Sequence, residues 1–517
     1  MMPIHSVAEV RVAEEILMAG LRQGELMERA AAGLADACAA LLREAGGSGA
    51  SGSRVCMLIG SGNNGGDALF AGARLAARGA HVDAVLLSGR AHEAGLAALL
   101  AAGGRATSGE DTLAASELLV DADLVVDGIV GIGGSGALRP AAAELVHAAE
   151  EGGALIVSVD VPSGVDADTG AVADPHAAVR ADVTVTFGCM KPGLLLSPGR
   201  DCAGAALLVD IGLVPALPPS TVFVLDDDDI AECVPEPGPE DYKYSRGVVG
   251  IAAGSARYRG AAFMATAAAR QGDAGMVHFL DRGDGIANAI VDRFWDVVVS
   301  CDAPASVVRV TAWGVGPGLG SGPEAEATLE AVLTAASPVL VDADGLRLLV
   351  HPRPRAARES RVAAGLPTVL TPHEGEFAAL GFAAGEGGAE DRLGAARRAA
   401  ADLGCVVVLK GPGTVIAAPS GRAYIDTRGG PELGTAGSGD VLSGLVSAML
   451  ATSSARSRAR GMPPLDDDAA AHVAAAGVAL HGMAGQHAAR DGRPVTATDI
   501  IGALPEAISS VRRGRPA

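Results

Sequence analysis

Short apolar runs alternate with alanine-rich stretches of helical period along almost the whole chain, and that rhythm leaves few folds open. Such runs, bounded by glycine turns, read as strands buried on both faces. The helical stretches between them read as crossovers, so the pattern predicts parallel sheets covered by helices. In the first part the expected strands are Val55–Ile59, Val82–Leu87, Leu124–Val126, Leu155–Val159 and Val183–Phe187, after a segment, Met1–Arg43, that is helical by pattern. The rhythm breaks around Leu213–Tyr244, where Pro215, Pro218, Pro219, Pro235, Pro237 and Pro239 interrupt it. It resumes at Val248–Ile251, Val339–Val341, Thr368–Leu370, Val406–Leu409 and Thr414–Ala417. A boundary near residue 220 divides the 517 residues into two α/β domains, 1–219 and 220–517, each long enough to bury its own core. Ala451–Asp468 reads as a mobile loop, and the tail from Ala469 as helix to about Ala489.

Composition narrows the function classes. Lys and Arg number 40 against 61 Asp and Glu, and the net charge of −21 argues against a partner held through a phosphate backbone, nucleic acid above all. No stretch of about 18 apolar residues runs free of charge or glycine, which speaks against a membrane span. Met1–Glu15 carries acids where a secretion signal needs a basic and then an apolar region. Seven cysteines include no Cys-x-x-Cys pair, so the chain reads as reduced and cytoplasmic, with no thiolate zinc site. Only three of the 40 basic residues are lysines, Lys191, Lys243 and Lys410, and at each a role that arginine cannot fill is a fair suspicion.

After the strand Val55–Ile59 comes Gly60-Ser61-Gly62-Asn63-Asn64-Gly65-Gly66-Asp67 and then a helix. Gly60, Gly62 and Gly65 satisfy the dinucleotide fingerprint, and Asp83, 18 residues past Gly65, falls near where a ribose-binding acid would stand. That fingerprint does not ask for two asparagines and an aspartate inside the loop. Those groups suit a polar ligand or a cation, so a hydride-transfer domain is the weaker reading. A capped turn explains the glycines and one Asn, but not all three polar residues. Two further strand ends supply acids: Asp127, running into the glycine loop Gly128–Gly136, and Asp160, in Ser158-Val159-Asp160-Val161-Pro162-Ser163-Gly164. A lone Asp at a strand end is more often a helix cap than a catalyst. Three such loops in one domain favour a site at the carboxyl ends of the strands, where Asn64, Asp127, Asp160 and Ser163 would converge. Lys191, after the next strand in Cys189-Met190-Lys191-Pro192-Gly193, would face the same crevice.

In the second part Gly434-Thr435-Ala436-Gly437-Ser438-Gly439-Asp440 precedes an apolar helix. Successive small residues at a helix start let backbone N–H groups form an anion nest where the dipole favours phosphate. Asp440 would sit beside the nest, poised to take a proton from a hydroxyl attacking the terminal phosphorus. A simple helix cap does not need so many small residues. Lys410-Gly411-Pro412-Gly413-Thr414 offers a lysine and a turn to a nucleotide, and Gly314–Gly320 is a second glycine loop. Asp342 and Asp344 end one strand, and Thr371-Pro372-His373-Glu374-Gly375-Glu376 ends the next. His-Glu-Gly-Glu places its acids on a turn and not on one helix face, which speaks against zinc.

Residues 1–219 resemble the NAD(P)HX epimerase family, on Asn63–Asp67, the Asp127 loop, Val159-Asp160-Val161-Pro162-Ser163-Gly164 and the Lys191 turn, in that order and spacing. The resemblance implies a Rossmann-like three-layer α/β/α domain. In it Asn63, Asn64, Gly65, Gly66 and Asp67, with Gly131, Ile132, Gly133, Gly134, Ser135, Gly136 and Ala137, bind a hydrated nicotinamide nucleotide, Asp160 touches the same ligand, and Asn64, Asp127 and Ser163 hold potassium. For the chemistry, Asp160 is the expected general acid–base, with Lys191 assisting. Ala68 stands where the family usually has Gly.

Residues 223–510 resemble the ribokinase-like superfamily and, more narrowly, its ADP-dependent NAD(P)HX dehydratase branch. Tyr242–Gly247, Ala253-Gly254-Ser255 and His481-Gly482-Met483-Ala484-Gly485 carry the narrower likeness, with Tyr242 standing where a His commonly precedes the lysine. It implies that Lys410, Gly411, Pro412, Gly413 and Thr414, with Gly437, Ser438 and Gly439, bind ADP (ATP being the alternative donor) together with magnesium. Ala261, Gly320, His373 and Asp440 would contact the hydrated cofactor, with Asp440 as the base. The expected protein is therefore a bifunctional repair enzyme for small-molecule nucleotides, homo-oligomeric as relatives are. The runner-up is a vitamin or hydroxymethylpyrimidine kinase whose first domain is a binding module.

Overall fold

The computed structural model describes residues 1–46, 49–134, 136–307, 309–383 and 391–514. The chain forms two compact units, Pro3–Ser220 and a second that runs from Thr221 onward and includes Met1 and Met2. Strand β1 is Met2–Ile4.

In the first unit the strands are β2 (Arg54–Ile59), β3 (His81–Leu86), β4 (Arg105–Ser108), β5 (Leu124–Gly128), β6 (Leu155–Val159), β7 (Val183–Phe187) and β8 (Ala205–Val209). They pair in parallel in the order β4-β3-β2-β5-β6-β7-β8, the sheet of a Rossmann-like fold. Alternation along β2 builds two cores. Val55, Met57 and Ile59 pack with Leu34 and Leu69 on one face, whereas Cys56 and Leu58 pack with Leu119 and Leu145 on the other. A continuous apolar strand with helices on both sides is the outcome, in three α/β/α layers. The edge strands β4 and β8 were not expected: both are largely exposed, Arg105–Ser108 lacks an apolar run altogether, and the run Ala205–Val209 was passed over.

In the second unit the strands are β9 (Val222–Val224), β10 (Val248–Ala252), β11 (Met276–Leu280), β12 (Val298–Ser300), β13 (Ala312–Val315), β14 (Val339–Val341), β15 (Thr368–Leu370), β16 (Val406–Leu409), β17 (Thr414–Ala417) and β18 (Ala423–Asp426). Their order is β9-β18-β17-β16-β15-β14-β13-β10-β11-β12, parallel from β16 to β12, with an antiparallel β16-β17-β18 meander at the other end. Val249 and Ile251 face Ala265 and Leu445, while Val248 and Ala252 face Trp313 and Leu329, so helices again cover both sides.

Three expectations need correction. Met1–Arg43 is not one helix: Ser6 caps Val7–Met18, and a turn through Gly20 and Gly24, the latter at φ +82°, separates it from Glu25–Glu44. Ala451–Asp468 is a loop only over 460–466. The helix Ser438–Ala459 continues through Ala451, Thr452 and Ala455, all buried, and the next helix starts at Asp467. Its Ser/Arg/Ala composition hid a face that packs inward, and Arg456 and Arg458 in the last turn complement the helix dipole. The tail also holds a further helix, Ala497–Arg513, capped by Thr496. No helix among the described residues is long and apolar enough to cross a membrane.

Candidate active sites

In the first unit the carboxyl ends of β2, β5 and β6 bring the expected residues together. Asn63 to Asp67 are not a loop before the helix but its first turn, Gly62 standing at the N-cap of Asn63–Ala77. Gly60 must be glycine, because a Cβ there would run into the Ile129 carbonyl. Asn64 Oδ1 abuts Gly131, where an added Cβ would lie 2.8 Å from it, while Asn64 Nδ2 is buried with no partner among the described residues. The start of the glycine loop, at Gly131, therefore lies against the Asn64 turn. Ser135 lies outside the described residues.

Asp127 is fully enclosed and accepts four hydrogen bonds, from Ser163 Oγ (2.6 Å), Ser158 Oγ (2.8 Å), Ser163 N (2.9 Å) and Ile129 N (3.2 Å). Burial pushes its carboxyl up, and those donors hold the rise back. Ser163 Oγ also contacts the Val130 carbonyl at 3.1 Å.

Asp160 is held at φ +66°, a conformation costly for a residue with a Cβ and characteristic of functional positions. Its Oδ1 accepts from Lys191 Nζ (2.6 Å), Thr186 Oγ1 (3.1 Å) and Phe187 N (3.3 Å). Lys191 is 1 % exposed, and its other donors go to Thr186 Oγ1 (2.8 Å) and the Phe187 carbonyl (2.9 Å). An amine with three fixed partners is a positioned donor, not a solvated charge.

Sequence reasoning missed Glu14. It lies on Val7–Met18, one turn beyond Arg11, whose Nη2 reaches the Ile132 carbonyl of the glycine loop at 3.4 Å. Burial and the Asp160 charge raise the Glu14 carboxyl. Asp67 is pushed well up by burial and by Asp160 and Glu14. Three acids thus share the surroundings of one lysine. The apolar stripe of that helix gave no sign of this, because Glu14 differs from its neighbours Glu9 and Glu15 only in where the helix docks. Asp83, the candidate ribose acid, is instead engaged on both oxygens by Arg105, at 2.8 and 2.9 Å.

In the second unit Gly437 (φ +90°) caps Ser438–Ala459, and a Cβ there would collide with Met264 Sδ. Ser438 Oγ meets His481 Nε2 at 3.2 Å, and complete burial holds that imidazole neutral, down at about 4. Asp440, in the first helical turn, is pushed up to about 7 by burial and by the nearby Asp342 charge, against the pull of Lys410. Lys410 Nζ donates to Asp342 Oδ1 at 2.9 Å and lies 3.8 Å from Glu376 Oε2. Burial works against the ammonium, yet Asp342, Glu376 and Asp440 keep it charged. A Cβ on Gly439 would lie 3.5 Å from that amine, so Lys410 reaches the nest from the β16–β17 turn. Within the turn Thr414 Oγ1 donates to the Gly411 carbonyl at 2.9 Å, and Gly413 stands at φ +70°; Pro412 lies between them.

Ala261, Gly437, Asp440, Asp344 and Glu376 line one cavity of about 510 Å³. Gly320 N donates to Asp344 Oδ2 at 2.9 Å at its border. His373 does not line that cavity: it caps Glu374–Ala379, its Nδ1 accepting from Gly375 N at 3.0 Å. Among the described residues no cluster of three His, Cys, Asp or Glu side chains is placed to hold a metal.

The second unit is thus a parallel sheet closed by an antiparallel meander, with an acid on the first turn of a helix that starts among small residues; the first is a Rossmann-like unit built around a buried acid–amine pair. Family models agree with that division: "YjeF-related protein N-terminus" matches residues 23–193 and "NAD(P)H-hydrate dehydratase" residues 249–506. The bifunctional NAD(P)H-hydrate repair enzyme Nnr of Mycobacterium tuberculosis is 47 % identical over 450 residues, covering 87 % of this chain and 89 % of the relative. Its namesake in Corynebacterium glutamicum is 35 % identical over 99 % of both chains. The solved ADP/ATP-dependent NAD(P)H-hydrate dehydratase of Bacillus subtilis, crystallised with ATP and Mg2+, is similar at 25 % identity and a TM-score of 0.45, covering 56 % of this chain and 98 % of that one. The chain belongs to the family of bifunctional NAD(P)H-hydrate repair enzymes.

Proposed function

We propose that the protein repairs hydrated nicotinamide cofactors, residues 1–219 interconverting the R and S forms of NAD(P)HX and residues 220–517 dehydrating the S form. The observation that carries this reading is Asp440, a carboxyl raised to about 7 at the edge of a phosphate nest and in the wall of the 510 Å³ cavity. Poised there, it accepts a proton near neutral pH.

In the second unit Asp440 takes the proton of the C6 hydroxyl, whose oxygen attacks the terminal phosphorus of ADP, and the bond to the departing AMP breaks. Lys410 and the N–H groups of Ser438 and Gly439 neutralise the phosphoryl oxygens as charge moves to AMP. The ring nitrogen lone pair then expels phosphate from C6, and loss of the C5 proton restores the dihydronicotinamide. ADP is our assignment of the donor, with ATP the alternative. Bound together with the nucleotide, magnesium would offset the charge of its phosphates beside Lys410 and the helix start at Ser438.

In the first unit Asp160 and Lys191 move the proton of the C6 hydroxyl while the ring opens and recloses, which exchanges the two configurations. Asn63, Gly65, Gly66 and Asp67 on one side, with Gly133, Gly134, Gly136 and Ala137 on the other, hold the nucleotide. Potassium is assigned to Asn64, Asp127 and Ser163. The oxygens there lie close together, Asp127 Oδ1 and the Val130 carbonyl within 2.6–3.1 Å of Ser163 Oγ, a set that suits a hard cation. A higher melting temperature in potassium than in sodium chloride is expected. We further read the protein as cytoplasmic, in keeping with seven free cysteines, and as homo-oligomeric.

The test supplies both C6 epimers of hydrated NADPH, with and without ADP, and follows reduced-nicotinamide absorbance and phosphate. Full recovery in two phases supports both activities. Recovery that stops when one epimer is exhausted removes the first, and a stable phosphorylated product returns the second unit to the kinase reading.

A further inference from the structure

The cavity that holds Asp440 also carries three arginines in its wall. Arg257, Arg259 and Arg347 line it, the first two flanking Tyr258 after β10 and the third on the helix Asp344–Leu348 after β14. All three therefore stand at the carboxyl ends of parallel strands, where open α/β sheets place ligands. Most guanidinium groups in this unit are occupied: Arg246 by Asp273 (2.6 Å), Arg270 by Asp296 (2.8 Å), Arg428 by Asp426 (3.3 Å). Arg259 and Arg347, by contrast, have no hydrogen-bond or carboxylate partner among the described residues. Arg257 touches only the Tyr258 ring, at 5.2 Å from its centroid.

Charge makes this arrangement informative. The chain carries a net −21, and Asp344, Glu376 and Asp440 face the same cavity. An anionic dinucleotide entering there meets an adverse field unless cations offset it. Free guanidinium forks match phosphate oxygens in pairs, which an ammonium cannot do.

We propose that Arg257, Arg259 and Arg347 hold the phosphate groups of the hydrated dinucleotide and so set its affinity. This deepens the dehydratase reading and rests on it. The reacting C6 end lies toward Asp440 and Ala261, and the phosphates lie toward the arginines. The donor nucleotide is bound separately, by Lys410 and the nest.

The test replaces each arginine by glutamine in the full chain, with Arg270→Gln, which sits on a surface ion pair, as control. Steady-state constants are measured for hydrated NADPH, hydrated NADH and ADP, and NADPH binding by calorimetry. Each variant should raise KM for the dinucleotide about tenfold, with KM for ADP and kcat little changed. A loss confined to hydrated NADPH places the arginines on the 2′-phosphate, and an equal loss with both substrates places them on the pyrophosphate; either supports the proposal. A raised KM for ADP alone, or unchanged constants throughout, overturns it. If the unmodified protein turns over neither hydrate yet binds NADPH through these arginines, the dehydratase reading falls and the phosphate site stands.

Discussion

Lys191 Nζ and Asp160 Oδ1 meet at 2.6 Å in a place solvent scarcely reaches, and the aspartate is held there by a left-handed backbone. In the second unit Lys410 and Asp342 repeat the pairing at 2.9 Å. Each candidate site thus sets one of the chain's three lysines against a strand-end carboxylate. The geometry differs in what is left over: in the first unit the paired Asp160 is itself the proposed base, whereas in the second Asp342 takes the lysine and the proposed base, Asp440, stands apart from that pair.

Asp160→Asn should cut epimerisation by about a hundredfold or more, the usual contribution of a positioned acid–base group. Dehydration of the S epimer should continue, so absorbance recovery from an epimer mixture would halt part-way. Lys191→Met leaves Asp160 buried and uncompensated, at a cost of about 3–5 kcal/mol. The double variant should recover part of that stability in calorimetry without recovering activity.

Two titrations in the second unit pull in opposite directions. Asp440, raised from 3.8 to about 7, favours the folded state at low pH and loses that contribution as pH rises through 7. His481, lowered from 6.5 to about 4, contributes above 6.5 and loses its share as pH falls toward 4. The contributions of these two groups should therefore largely offset each other between pH 4 and 7. Asp440→Asn should unmask a decline on acidification, of about 3 kcal/mol at most, while abolishing dehydration; melting temperatures across that range check it. In the parent, kcat/KM should climb with pH and level off above about 7.

Lys410→Met strands Asp342 and Glu376, both nearly inaccessible, and should destabilise the second unit by about 3–5 kcal/mol. It should also raise KM for ADP. Lys410→Arg should not restore either, because a planar fork cannot occupy a position shaped for a single ammonium. Urea titrations and initial rates decide the matter.

Gly437→Ala places a Cβ against Met264 at φ +90°, so a loss of about 1–3 kcal/mol and a displaced nest are expected. Met264→Ala on the same chain relieves the collision but not the backbone, and should recover stability only in part. The dehydratase rate should fall by about a hundredfold, the sensitivity of transfer to small misplacements.

Several buried strands were legible because continuous apolar runs have no other place to go; Val339–Val341, Thr368–Leu370, Val406–Leu409 and Thr414–Ala417 appear with the residues expected of them, whereas the equally buried Met276–Leu280, Ala312–Val315 and Ala423–Asp426 were not read. Edge strands such as Arg105–Ser108 were not, since pairing on one side demands no apolar pattern. The strand-end acids and glycine loops could be named from type and spacing. Glu14 and the free arginines could not: a charged residue on an exposed helix or turn becomes part of a site only through docking. Ala451–Ala459 was misread for a related reason, because alanine and serine bury a helix face without announcing it.

The scarcity of lysine has a practical side. Lys191 is sealed from solvent and Lys410 is tied to a buried carboxylate, while Lys243 stands exposed beside the Tyr244 ring at 5.1 Å. Reagents that acylate side-chain amines will therefore find a single address. A dye, a tether to a sensor surface or a cross-linker attached at Lys243 leaves Lys191 and Lys410 untouched.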